Sequence, residues 1–227
     1  MKRILLLFCL SLNLNHSAQH YQFQGGYDAQ GVTDDLEPEN DMISDKSMQM
    51  LLDALPESYP MPEYNPHYIS TGYDTDIALR EDAGNWVTFV KEGAGYKNVL
   101  GFYTYDLNAP APAKPQPSDI TIIFPNASEG GYCGCLRKGN KVKIGNFPAG
   151  TGIGWVLLAN RWNGSRVTGV HWQVFSNPDF NPEADEELRQ TMVLLSDPQN
   201  ERVYLGIEDL RRDHHSCKQD FNDAHFM

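Results

Sequence analysis

Eight short runs of β-branched and aromatic residues recur along the chain, at 86–90, 98–105, 120–124, 141–144, 152–160, 170–176, 191–195 and 202–206. Successive side chains of a strand point to opposite faces, so runs of this length and composition suit short strands better than helices. The connections are rich in glycine and proline, as in Glu92-Gly93-Ala94-Gly95, Phe147-Pro148-Ala149-Gly150 and Asn177-Pro178. No alternation of strands with long helical patterns is present, which argues against a parallel dinucleotide-binding sheet. The expected fold is all-β, a jelly-roll-like β-sandwich of about eight strands with one short N-terminal helix. Ser44 is placed to cap that helix, Met48, Leu51, Leu52 and Leu55 fall on one helical stripe, and Pro56 stops it.

Lys2 and Arg3 precede an apolar run at 4–10 and the small or polar Asn15-His16-Ser17-Ala18, the pattern of a secretory signal peptide over residues 1–18. The run is shorter than the ~20 residues of a membrane span, so no membrane insertion is expected. A secreted or cell-surface location follows, with the periplasm as a further compartment. Residues 19–61 read as a polar linker and the short helix, and 62–227 as the β-domain. Within this, 56–73 is expected to be an extended, proline-punctuated segment, and 109–117 a stiff polyproline-like loop. The formal net charge is −12, and losing Lys2 and Arg3 makes it −14. Such a balance argues against nucleic-acid partners and favours cations. Of the four cysteines, Cys9 lies in the leader, leaving Cys133, Cys135 and Cys217. An exported chain favours a disulfide between Cys217 and one of the other two, although three unpaired thiols fit the sequence equally, since it fixes no distance.

The densest chemistry lies near the C-terminus. Glu208, Asp209, Asp213, Asp220 and Asp223 bring five carboxylates, and Asn222 an amide, into sixteen residues. Carboxylates at this density repel unless a cation sits among them, and Ca²⁺ takes six to eight oxygen ligands. Glu208, Asp209, Asp220, Asn222 and Asp223 are the expected ligands, with Asp213 and Glu92 as further members. Asp220 and Asn222 are expected on one face of a returning strand, with Phe221 and Phe226 turned to the core. Arg211, Arg212 and Lys218 offer another account, in which loop cations neutralise the acids without metal. There is no Gly-x-Ser-x-Gly elbow, His-Glu-x-x-His zinc helix or phosphate-binding glycine loop. Asp220 and Asp223, three residues apart, suit metal ligation better than the separated acids of a glycan hydrolase. A binding module is expected rather than an enzyme.

Four ordered motifs carry a family resemblance. They are the run from Glu92-Gly93-Ala94-Gly95 to Gly101, Ile122-Ile123-Phe124-Pro125-Asn126-Ala127-Ser128, Gly152-Ile153-Gly154-Trp155-Val156-Leu157-Leu158-Ala159-Asn160, and Gly206-Ile207-Glu208-Asp209 with Asp220-Phe221-Asn222-Asp223. Over about residues 62–226 the chain resembles the bacterial domain-of-unknown-function 4114 family and LruC-type exported proteins. The resemblance implies export, membership in surface structures, and calcium-dependent binding of an extracellular ligand, either a peptide carboxylate or a glycan. A purely structural secreted domain is the alternative. Two departures stand out: Lys218 occupies the first position of the family's Asp-x-Asp-Phe-Asn-Asp run, and Met227 directly follows Phe226, which implies a short final strand with a frayed edge.

Overall fold

A computed structural model describes residues 20–70, 75–131, 134–169 and 172–227. The expected signal peptide and Cys133 lie outside the described residues. The strands in chain order are β1 (Gln22–Phe23), β2 (Ile77–Ala78), β3 (Ala83–Glu92), β4 (Val99–Asp106), β5 (Thr121–Phe124), β6 (Lys141–Phe147), β7 (Thr151–Leu158), β8 (Gln173–Phe175), β9 (Met192–Asp197), β10 (Arg202–Ile207) and β11 (Ala224–Phe226), with helices α1 (Asp45–Ala54) and α2 (Met61–Tyr64). Each of the eight expected runs holds a strand. One sheet has the order β1-β5-β4-β7-β2, with β8 beside β2 on the same edge of β7, and the other runs β6-β3-β11-β10-β9. The two make an all-β sandwich.

The sheets meet over one core, where Leu100, Phe102 and Leu157 of the first face Phe89, Leu205 and Phe226 of the second. Phe124 stacks on Phe226 across the gap with ring centroids 5.9 Å apart. Both outer faces are also covered, so β7 is buried almost along its length, and β4 from Val99 to Tyr103, instead of alternating. Over the second sheet lies α1. Ser44 caps it, its Oγ accepting from the Ser47 N–H at 3.0 Å, and Asp45 favours the positive end of the helix. Leu51 and Leu55 enter a cluster with Val90, Val193, Tyr204 and Phe221, whereas Leu52, expected in the same stripe, is 39% exposed. A Cβ at Gly206 would lie 2.4 Å from Leu55 Cδ1 and 2.8 Å from the Phe221 carbonyl, so glycine is what lets helix and loop close on β10.

Several expectations are corrected. The segment read as a polar linker is bound to both sheets: β1 pairs in parallel with β5, Leu36 bridges Val142, and Asp41 pairs with Lys141 at 2.8 Å while accepting from Thr88 Oγ1 at 2.6 Å. Its polar side chains make these bonds, which is why composition alone reads it as solvated. The segment expected to be extended after Pro56 folds instead into α2 and a 3₁₀ turn, Pro66–Ile69, both with proline in the first turn, where the missing N–H costs nothing. The final strand is no frayed edge, because β11 lies between β3 and β10 and is bonded on both sides. Among the described cysteines, Cys135 and Cys217 are both free, so of the two readings open at Cys217 the structure shows the unpaired thiol. Among the described residues no helix is long and apolar enough to cross a membrane.

Candidate functional site

At one end of the sandwich β3, β10 and β11 terminate together, and Asp223 sits where they meet. Its N–H donates to the Ile207 carbonyl (3.1 Å), its own carbonyl accepts from Gly93 N–H (2.9 Å), and its carboxylate accepts from Asp209 N–H (2.9 Å). Beside it β10 delivers Glu208 and Asp209, the backbone of Glu208 held by a bond to the Thr191 carbonyl at 2.9 Å. Carboxylate oxygens of Glu208, Asp209 and Asp223 all lie within 4.8 Å of one another. Glu208 and Asp209 are 1% and 3% exposed, while Asp223 is half-buried and opens the group toward solvent.

Asp209 accepts from Asn98 Nδ2 at 2.7 Å, and its carbonyl accepts from Trp172 Nε1 at 2.9 Å. The Cys217 thiol donates to the Glu208 carboxylate, and burial pushes that thiol up. Glu208 Oε2 is buried and has no hydrogen-bond partner among the described residues. Burial first, and then the Asp223 charge, raise the pKa values of both Glu208 and Asp209 far above the carboxylate range.

The other expected ligands divide. Asp220 is buried and raised by desolvation, and it accepts from Ser58 N–H at 2.7 Å; it borders the trio but is not among the three that converge. Asn222 is buried against Glu57, with its amide oriented to donate to Glu57 Oε2 (3.2 Å) and accept from Glu57 N–H (3.3 Å). These residues do not share the face of a strand, because residues 220–223 form a loop in which Phe221 takes φ +56° and β11 begins only at Ala224. Glu92 closes β3 and is buried, and burial raises its carboxyl to about 7 against the bond it accepts from Glu129 N–H at 2.8 Å. Its charge acts on Asp209, and its Oε1 is a second buried oxygen with no partner among the described residues. Asp213 is outside the group, exposed and ion-paired with Arg211.

The loop cations do not neutralise the trio by contact. Arg211 also lies 3.8 Å from Glu183, and Lys218 is paired with Glu57 at the surface. Arg212 donates to the Glu187 and Gln190 carbonyls and to Gln219 Oε1, with its guanidinium over Phe221 at 5.5 Å. Sequence reasoning missed Asn98 and Cys217 as partners of the acids. Asn98 lies inside the Glu92–Gly101 motif, a signal that pointed to it; Cys217 carried none beyond its place between the acids.

Gly93 determines how closely the loop docks. A Cβ there would sit 2.3 Å from the Asn222 carbonyl oxygen, whereas one at Gly95 meets nothing within 4 Å. Gly93→Ala is expected to cost about 2 kcal/mol by forcing that carbonyl away, and Gly95→Ala close to nothing. Urea unfolding of the two variants checks this; equal stabilities would mean the loop yields freely.

Residues 147–227 match the family described as Domain of unknown function (DUF4114), a stretch that contains Glu208, Asp209, Asp220, Asn222 and Asp223 and excludes Glu92 and Asn98. No curated protein and no solved structure matches the chain.

Proposed function

We propose that this chain, whose residues 147–227 match the DUF4114 family, is an exported calcium-binding β-sandwich module that engages an extracellular ligand. The carrying observation is the convergence of Glu208, Asp209 and Asp223 with a buried Glu208 oxygen left unpartnered. All donors are hard oxygens, the choice of Ca²⁺ rather than of zinc or copper. Glu208, Asp209 and Asp223 would hold the ion, with Asp220 and Glu92 adding negative charge around it. Bound calcium would supply a positive centre able to accept a further oxygen. Asp223, on the open side of the group, leaves room for that oxygen, from a peptide carboxylate or a sugar hydroxyl. The basic, apolar leader and the net charge of −12 are what support export and cation binding.

A second reading has its own observation. The trio is partly satisfied from within, by Asn98, the Asp209 N–H and the Cys217 thiol, so shared protons would serve as counter-ions in a purely structural loop. Thermal unfolding in chelator, in calcium and in magnesium separates the two. Calcium at tenfold its Kd adds about 1.4 kcal/mol, a rise of roughly 3–6 °C for a domain of this size. Magnesium, which demands a tighter octahedral shell, is expected to add little. No response to calcium at millimolar concentration would leave the proton-shared loop as the function of the site.

A further inference from the structure

The other end of the sandwich holds a different feature. A cavity of about 530 Å³ opens between the two sheets, floored by Ile153 and Trp155 of the first and by Val87, Leu205 and Phe226 of the second. Close-packed interiors leave few voids larger than a water molecule, and lining atoms that face empty space lose their dispersion contacts. A volume of this size falls within the range of small-molecule sites. The strands β3 and β10 connect the two ends: residues 84–88 and 202–205 line the cavity, while Glu92 and Glu208 lie at the acidic site. Along β3 four to eight residues, and along β10 three to six, therefore separate them, about 10–26 Å of strand.

The mouth is shaped for an amphiphile. The β3–β6 register shifts between Asn85 and Trp86, a bulge of the kind that re-aims a side chain beside a site. Trp86, 45% exposed, lies at the rim together with Val203, 41% exposed. Lys143 Nζ stands 5.1 Å from the Trp86 ring centroid. Of the cations lining the cavity, Lys141 is taken up by Asp41, whereas the exposed side chain of Arg202 makes no hydrogen bond or ion pair among the described residues and acts on Asp41 only through its charge. Glu201 is the remaining acid of the lining. An apolar interior with a guanidinium at its edge whose N–H groups are not taken up by hydrogen bonds complements a molecule with an apolar tail and one carboxylate, the group that Arg binds with two parallel bonds.

We propose that this cavity is a binding site for small amphipathic monocarboxylates, with the tail between the sheets and the carboxylate at Arg202. The site is independent of calcium. Decanoate and its neutral counterpart 1-decanol are the probes, titrated into the full protein in chelator and followed by tryptophan fluorescence and calorimetry. Decanoate is expected to bind saturably, and more tightly than 1-decanol. Arg202→Gln is expected to weaken decanoate about tenfold, the worth of one charge-assisted hydrogen bond, and to leave 1-decanol unchanged. Val203→Asp, an exposed change that should not disturb folding, is expected to weaken both. Thermal unfolding of each variant confirms that it is folded. Absence of saturable decanoate binding to the wild type, equal affinity for the two probes, or an unchanged Kd in Arg202→Gln would each overturn the proposal. Glu208→Gln separates this site from the calcium reading, because it should abolish the calcium response and leave decanoate binding as it was.

Discussion

Glu208→Gln is expected to raise the unfolding temperature of the metal-free protein by about 5 °C or more at pH 8 and to abolish stabilisation by calcium. The carboxyl is 1% exposed, beside Asp223, with one oxygen unpartnered. Folding places it where its charge is opposed both by desolvation and by a like neighbour, and an amide of the same shape removes both penalties. The pH dependence follows from the direction of the shift. A carboxyl whose pKa is higher folded than unfolded binds its proton more tightly in the folded state. Its contribution is therefore fully present below the ordinary carboxylate range and is lost as pH rises from there through the raised folded value. Asp209 shifts in the same direction for the same reasons, and Glu92, raised to about 7, adds to the loss between the carboxylate range and neutrality. Without metal, wild-type stability should fall steadily from pH 5 to pH 9. In Glu208→Gln the decline should be shallower, and in wild type with saturating calcium it should be largely cancelled. Denaturant unfolding across this pH range checks all three. A flat metal-free profile would mean that the trio is not desolvated as its burial indicates.

Phe221→Ala is expected to have the larger effect on stability, a loss of about 3–5 kcal/mol, together with a calcium affinity at least tenfold weaker. Phe221 is fully buried among Leu51, Leu55, Val193 and Tyr204, beneath the guanidinium of Arg212. It stands between Asp220 and Asn222 in the left-handed region, a backbone conformation that costs energy for a bulky residue and persists because the ring is anchored. Removing the ring leaves a cavity under α1 and releases the loop that presents Asp223. Leu51→Ala serves as the comparison, since it empties part of the same cluster from the helix side and leaves the loop backbone alone. Both should lower the urea midpoint, and calorimetry should show the loss of calcium affinity chiefly in Phe221→Ala. Equal calcium affinities in the two variants would show that the loop holds its form without its aromatic anchor.

The acidic site was legible where local density sufficed. Glu208, Asp209 and Asp223 stand out because carboxylates so close in sequence have few ways to avoid one another in space. Asp213, expected only as a further member, stands outside, because Arg211, two residues away, captures it at the surface. Asn98 donates to Asp209 across 111 residues, a separation that no local pattern encodes.

The strands β3 to β10 and the capped helix α1 were legible in the sequence itself, since runs of β-branched and aromatic residues, helical spacing and a serine cap act within a few residues. Two further strands, β1 and β2, are two residues long and too short to show a period, and β11, expected as a short final strand, is three; they exist because β5, β7, β3 and β10 present them with unpaired backbone groups. The docking of residues 20–42, the free state of Cys217 and the cavity between the sheets belong to the same class. Each depends on distances between segments far apart in the chain, which only the packing of two sheets against each other could decide.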